Sequence, residues 1–412
     1  MIKRLKMKKK VCVLTGTRAE YGLLKPVITA IHNSKDLELL LIACGMHFDK
    51  ELGYSIKEIE DDCKKYGFSI NAKVDEMSAK GGSGAAMAEA VGNGIIKFIK
   101  VFQEFQRENK KPDILIILGD RIEALAGAIT AMYMGIAIAH LHGGDVTKAG
   151  LDESARHAIT KMANIHFPAT KKSAERIIKL GEKPENVFVV GAPGLDSILH
   201  STLSSREELE KKLSLKLEKK FIILLQHPVS TDSENAGKQM QETLNAVKEL
   251  GIQTIIIYPN ADAGGKKIID VIKGYENNNK NNNKIEDDNK ISLVHTFKNL
   301  AHDDYLSLMK HASAMVGNSS SGIIESASFK LPVVNIGIRQ DGRERSSNVI
   351  DVTHDKNEIA DAIKKALSDK EFITQVKNCK NVYGEGKTGE KIAAILPTIT
   401  INNDLLQKKI TY

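Results

Sequence analysis

Short apolar runs recur along the chain, and each ends at a glycine or polar turn. They fall at residues 11–14, 37–43, 114–118 and 136–141, and again at 221–225, 252–258, 312–316, 333–336 and 349–352. Runs this short and this apolar suit strands buried on both faces, and the stretches between them, such as 23–32, 87–105 and 124–134, carry helical spacing. Strands that alternate with helices pair in parallel, so the pattern predicts an α/β fold with doubly wound sheets. Residues 165–169 and 187–190 are expected to complete the first sheet. The Lys- and Glu-rich stretch 201–220 reads as linker plus surface helix. The expected organisation is therefore an N-terminal Rossmann-like domain over 1–195, a linker and surface helix over 196–220, and a second Rossmann-like domain over 221–380. A C-terminal helix and tail follow over 381–412, expected to cross back to the first domain. The Asn- and Lys-rich run 276–290 has the composition of a mobile loop that adds nothing to a core.

Ligands of such sheets bind outside the carboxyl ends of the strands, and ionisable residues collect there. Gly119-Asp120-Arg121 closes one strand. The next ends in His140-Leu141-His142-Gly143-Gly144-Asp145, where strand alternation would put His140 and His142 on one face. Asp152 and Arg156 stand one helical turn apart, and an i, i+4 salt bridge explains them as well as a ligand site does. Two His and two Asp in this neighbourhood raise the question of a metal, but intervening glycines and the absence of an HxxxH spacing leave no metal site expected. In the second half, Gln226-His227-Pro228 ends one strand and Pro259-Asn260-Ala261-Asp262 another. The stretch Gly317-Asn318-Ser319-Ser320-Ser321-Gly322-Ile323-Ile324-Glu325 then turns from strand to helix. Unpaired N–H groups and serine hydroxyls at a helix start suit a diphosphate, while simple helix capping explains the same serines. Arg339, Arg343 and Arg345 follow in a Gly-containing loop, where they read as anion-binding guanidinium groups or as a solvated charge run. Candidate ligand groups at the carboxyl ends of both sheets predict a cleft between the domains.

Composition excludes several classes. The chain has 412 residues, a net charge of +7, no Trp and 5 % aromatic residues, with the basic residues scattered. That pattern offers no stripe for a polyanion, so no nucleic-acid partner is expected. Cys12, Cys44, Cys63 and Cys379 form no CxxC pair, which points to neither zinc nor a disulfide framework and suits a cytoplasmic setting. The basic start is followed by too short an apolar run for a signal peptide, and no run long enough to span a membrane occurs.

Taken together, Arg18-Ala19-Glu20-Tyr21, Gly119-Asp120-Arg121, Gly143-Gly144-Asp145, residues 152–158, Gln226-His227-Pro228, residues 259–264, Gly317 to Gly322 and Arg339 to Glu344 resemble the hydrolysing UDP-N-acetylglucosamine 2-epimerases of sialic-acid pathways. The resemblance runs from about Val11 to Gly389. It implies the GT-B architecture, two Rossmann-like domains with parallel sheets facing a cleft. It also implies elimination of UDP through a 2-acetamidoglucal, then hydration to N-acetylmannosamine. Catalytic roles carry over to Asp120, Asp145, Asp152, Arg156 and His227, with His142 where many members carry a Glu before Gly-Gly. That departure leaves the C2 base as His142 or Asp152. Substrate-binding roles fall to Arg18, Arg121, Asn260, Ser319, Ser320, Gly322, Glu325, Arg339 and Arg343, with Glu325 on the ribose and Arg18 on the diphosphate. No cofactor is implied, and a homodimer or homotetramer is. Relatives acting on GDP-linked or diacetamido sugars, and non-hydrolysing epimerases, share the same motifs. A retaining glycosyltransferase or a silent nucleotide-sugar binder on this scaffold are the further alternatives.

Overall fold

The computed structural model of the chain describes residues 8–50, 54–75, 77, 84–146, 152–200, 203–259, 264–283 and 293–412. Two compact units divide it. The first comprises Met1–Asp145, Asp152–Leu199 and Tyr383–Tyr412, and the second Val146–Leu151 and His200–Val382.

In the first unit the strands are β1 (Lys9–Thr15), β2 (Leu37–Cys44), β3 (Ala72–Val74), β4 (Ile114–Leu118), β5 (Ala137–Leu141) and β6 (Ile165–Phe167). Between them run helices α1 (Arg18–Asn33), α2 (Ile56–Tyr66), α3 (Gly84–Arg107), α4 (Ile122–Tyr133) and α5 (Asp152–Met162), with α6 (Lys171–Lys179) and α7 (Gly194–His200) after β6. All pairings are parallel, in the order β3-β2-β1-β4-β5-β6. Because side chains alternate along a strand, β1 sends Val11 and Val13 to one face and Cys12 and Leu14 to the other. The first face packs on Leu24, Val27, Ile28 and Ile31 of α1, the second on Phe98 and Phe102 of α3 and on the alanines of α4.

The second unit repeats this plan. Helix α8 (Arg206–Leu213) precedes β7 (Phe221–Leu225), α9 (Ala236–Leu250), β8 (Gln253–Ile257), α10 (Gly265–Asn283), β9 (Val294–Phe297) and α11 (His302–His311). Then come β10 (Ala314–Gly317), α12 (Ser321–Ile324), β11 (Val333–Ile336), β12 (Val349–Val352), α13 (Lys356–Ser368) and α14 (Lys370–Asn378). The parallel order is β12-β11-β10-β7-β8-β9. Both sheets therefore show the Rossmann order, reversing direction between β1 and β4 and between β7 and β10. The expected fold class, α/β with two Rossmann-like parallel sheets, is borne out.

Three local readings need correction. Residues 187–190 form no strand: Val187 makes one isolated parallel bridge to His166, after a 3-10 turn at Pro184–Asn186. Helix α10 runs on to Asn283, well into the stretch read as a loop, because Ile268 and Ile272 anchor its start in the core and asparagines extend a nucleated helix at modest cost. Residues 284–292 lie outside the described residues. The helix that the stretch 317–325 is expected to enter is a single α turn, α12, followed by a 3-10 turn at Ser326–Phe329.

The last stretch carries α15 (Thr388–Ile395), which packs on α1, and α16 (Asn403–Leu406), whose Leu405 joins the same core, and it is pinned by polar contacts. Asp196 accepts the N–H groups of Thr388 (2.8 Å) and Gly389 (2.7 Å), capping α15. Lys9 Nζ donates to the Leu396 carbonyl at 2.7 Å. Buried Glu182 accepts from Lys408 (2.6 Å), Lys161 (2.7 Å) and His166 Nε2 (3.1 Å). Burial raises the Glu182 carboxyl, but these three donors outweigh it and hold its pKa at about 2. A folded-state value below the ordinary 4.5 stabilises the fold above that pH, and the benefit is lost as pH falls toward 2. Glu182→Gln should therefore lower stability at pH 7 by roughly 3 kcal/mol, the scale for breaking a buried ion pair. The deficit should shrink below about pH 4, as the carboxyl of the unfolded wild-type chain takes up its proton while the folded one does not. Thermal melts across this range check it, and an unchanged midpoint at pH 7 would mean that apolar contacts alone hold the C-terminal segment.

Candidate active site

At the carboxyl end of β5 the chain leaves the sheet in a tight turn, His142-Gly143-Gly144-Asp145. His142 adopts φ +59°, a left-handed conformation uncommon for a residue with a Cβ and frequent at functional positions. Strand alternation therefore stops at Leu141, and His140 and His142 do not share an environment as expected. His140 is wholly buried, bonded to the Gly119 carbonyl (2.7 Å) and Thr160 Oγ1 (3.2 Å). Burial, partly opposed by the Gly119 bond, drives its pKa down to about 3, so it is a neutral structural histidine.

His142 Nδ1 lies 3.0 Å from Asp145 Oδ2. A carboxylate only accepts, so Nδ1 carries the hydrogen, and in the neutral imidazole this tautomer puts the lone pair on Nε2. Asp145 is itself oriented: Ser173 Oγ donates to its Oδ1 at 2.9 Å, and Thr170 Oγ1 donates to Ser173 at 3.1 Å. Gly144 lets this turn approach α6, since a Cβ there would sit 2.2 Å from the Ser173 carbonyl. Arg156, 3 % exposed on α5, donates to the Asp145 carbonyl (3.0 Å) and pairs with Asp120 at the end of β4. Despite burial, the carboxylates of Asp120 and Asp145 raise the Arg156 pKa, so its charge is fixed. Asp120, His142, Asp145 and Arg156 are thus brought together. Asp152 opens α5, but its side chain lies outside the described residues.

Arg18 and Arg121 meet other partners. Arg18 Nε donates to Glu58 of α2 at 2.8 Å, both half-buried. Arg121 lies 3.4 Å from Glu123 and donates to Met46 Sδ at 3.1 Å. Beside them Glu20, seen in the sequence only as part of a motif, accepts the Gly16 N–H at 2.6 Å. Burial raises its pKa to about 8, the Gly16 bond working against this and the Glu123 charge adding to it.

In the second unit Gly317 ends β10 with φ +125°, and a Cβ there would meet the Leu225 carbonyl at 2.1 Å. Glycine thus lets the serine turn begin against the end of β7. Asn318 follows, bonded by its side chain to the main chain of His227. Ser319 and Ser321 share a hydrogen bond (3.0 Å), and Tyr305 Oη meets Ser321 Oγ at 2.5 Å. Ser320 occupies the N-cap position of α12 without a capping bond from its side chain, so the capping reading does not describe it. A one-turn helix also supplies little macrodipole, leaving hydroxyls and main-chain N–H groups as the donors here. Gly322 and Glu325 are buried beside this turn. Arg339 donates to the Asn318 carbonyl at 3.2 Å, joining the turn. Arg343 is half-buried, while Arg345 is taken by Asp351 (2.9 Å). Asn260 lies outside the described residues. Ser173, Asn318 and Tyr305 were assigned no role from sequence, because each acts through partners remote in the chain or in a separate motif.

The profile of the family described as UDP-N-acetylglucosamine 2-epimerase matches residues 29–397. The chain belongs to that family. It is 37 % identical to the UDP-N,N'-diacetylbacillosamine 2-epimerase (hydrolyzing) of Legionella pneumophila, over 98 % of this chain and 99 % of that one. It is 36 % identical to the GDP/UDP-N,N'-diacetylbacillosamine 2-epimerase (hydrolyzing) of Campylobacter jejuni, over 89 % of each chain. Its fold matches that of the Neisseria meningitidis UDP-GlcNAc 2-epimerase bound to UDP-GlcNAc, with a TM-score of 0.76 over 95 % of this chain and 100 % of that one at 18 % identity. The family expected from the motifs is borne out, as is an enzyme of the hydrolysing nucleotide-sugar 2-epimerase kind. Among the described residues of this family member, no helix is long and apolar enough to cross a membrane.

The raised Glu20 carboxyl makes a prediction for stability. Folding holds its proton above the ordinary value of 4.5, so stability should fall as pH rises from about 4.5 to about 8. Glu20→Gln keeps an acceptor for Gly16 and removes the titration. Its thermal midpoint should gain on wild type across that window, and identical slopes would show that Glu20 is ionised in the fold.

Proposed function

We propose that the protein eliminates UDP from UDP-N,N'-diacetylbacillosamine and hydrates the product to the free C2 epimer of that sugar. The observation that carries the choice of sugar is the match to the Legionella enzyme, which spans nearly the whole of both chains. The chemistry is redox-neutral and balances without a cofactor. In the first step the C2–H bond breaks, its electrons form the C1–C2 double bond, and the C1–O bond breaks with its electron pair leaving on UDP. In the second, water adds its hydroxyl to C1 while a proton reaches C2 from the opposite face.

The His142–Asp145 pair supports His142 as the C2 base: a fixed Nδ1–H leaves Nε2 of the neutral imidazole to take the proton. Asp152 is the competing base. Asp120, Arg156 and His227 are assigned to the sugar, with the fixed Arg156 charge stabilising negative charge as the C2 proton leaves. Ser319, Ser320, Gly322, Arg339 and Arg343 are assigned to the diphosphate together with Arg18 and Arg121, Glu325 to the ribose hydroxyls, and Asn260 to the substrate.

The family description favours a second reading, conversion of UDP-N-acetylglucosamine to N-acetylmannosamine for sialic-acid synthesis. Proton NMR in deuterated water with both nucleotide sugars, and with the GDP-linked diacetamido sugar, separates them. The expected result is UDP release with a C2-deuterated diacetamido product. Turnover of UDP-N-acetylglucosamine alone would establish the second reading, and turnover without C2 deuteration would sink the elimination. Asp145→Asn, which donates where His142 needs an acceptor, should lower kcat by roughly 100-fold or more, as loss of an orienting carboxylate does elsewhere. His142→Ala with undiminished C2 exchange would pass the base to Asp152.

A further inference from the structure

The second sheet reverses its order between β7 and β10, which run side by side as far as the paired residues Leu225 and Gly317. Beyond that pair the two chains part, one into Gln226-His227-Pro228 and the other into the serine turn. Main-chain groups at such a point lose their ladder partners. Asn318 takes the place of the missing strand. Its Oδ1 accepts the His227 N–H at 2.7 Å, and its Nδ2 donates to the His227 carbonyl at 2.9 Å. Its own N–H donates to the Leu225 carbonyl at 3.1 Å. Its carbonyl accepts Gln340 Nε2 at 2.8 Å and Arg339 Nη1 at 3.2 Å. The residue is 1 % exposed. A primary amide presents a donor and an acceptor side by side, as a peptide group does; Asp lacks the donor and Leu lacks both.

We propose that Asn318 is a positioning residue that holds His227 for its work at the sugar. The proposal rests on the reading above that His227 acts there. With N–H and C=O both held by one buried side chain, the His227 backbone has a single setting and its imidazole is aimed from a fixed origin. The same residue's carbonyl holds Arg339, so one residue joins the histidine assigned to the sugar with an arginine assigned to the diphosphate. Those two attachments separate in mutants: a side-chain change releases His227 and leaves the carbonyl that Arg339 and Gln340 use.

Asn318→Ala should lower kcat by about 100-fold, the scale for a small misplacement of a reacting group, while KM and the affinity for UDP stay within about threefold. In a His227→Ala background the same change should cost nothing further, because its effect passes through His227. Asn318→Asp sets an oxygen against the His227 carbonyl at nearly unchanged volume, and carries the same cycle if the alanine variant does not fold. Additive losses in the cycle, or UDP affinity falling in step with kcat, would overturn the proposal while His227 kept its role. If His227→Ala leaves kcat intact, the reading of His227 fails and the proposal falls with it.

Discussion

The constraint on which the rest of this structure depends is the reversal of strand order inside each parallel sheet. Where neighbouring strands send their chains in opposite directions, main-chain N–H and C=O groups emerge with no ladder to join, and a buried group left so costs about 1–3 kcal/mol. Side chains close these positions: Glu20 on the Gly16 N–H, His140 on the Gly119 carbonyl, Asn318 on His227. The reversal that creates a place for ligands thus also demands buried polar side chains around it. Structural and functional polar residues consequently lie next to one another, and residue type alone does not tell them apart. His140 and His142 are two positions apart, yet one is a silent core residue and the other carries an orienting carboxylate.

Two buried charged groups in the first unit show opposite outcomes of the contest between burial and pairing. Arg156 lies between Asp120 and the Asp145 carbonyl and keeps its charge in the interior. Glu20, whose burial outweighs the main-chain donors that face it and which has another carboxyl nearby, keeps its proton instead. Burying an unpaired charge is far more costly than either outcome.

Much of this was legible in the sequence, and the remainder was illegible for identifiable reasons. The central strands were plain because burial on both faces makes them continuous apolar runs. Strands β3 and β9 escaped notice: Ala72-Lys73-Val74 and Val294-His295-Thr296-Phe297 are edge strands pairing on one side only, so they include polar residues. The motifs that mark the candidate site were visible because small residues and strand-end ionisable groups are local signals. Partnerships were not local. Asn318 and His227 are 91 positions apart, and Ser173 lies 28 beyond Asp145. Nor could alternation along β5 anticipate the left-handed turn at His142, which depends on the packing of Gly144 against α6.

The assignment of Tyr383–Tyr412 to the first unit has a consequence for how the protein is made. Ile392, Leu396 and Leu405 belong to the core that β1 and α1 begin. During synthesis the first sheet can therefore collapse early but lacks part of its apolar cover until residues 392–405 leave the ribosome. The second unit, whose core is drawn from one uninterrupted stretch, has no such wait. The unit translated first is the one completed last, and through that interval the uncovered face of α1 is the surface a chaperone would meet.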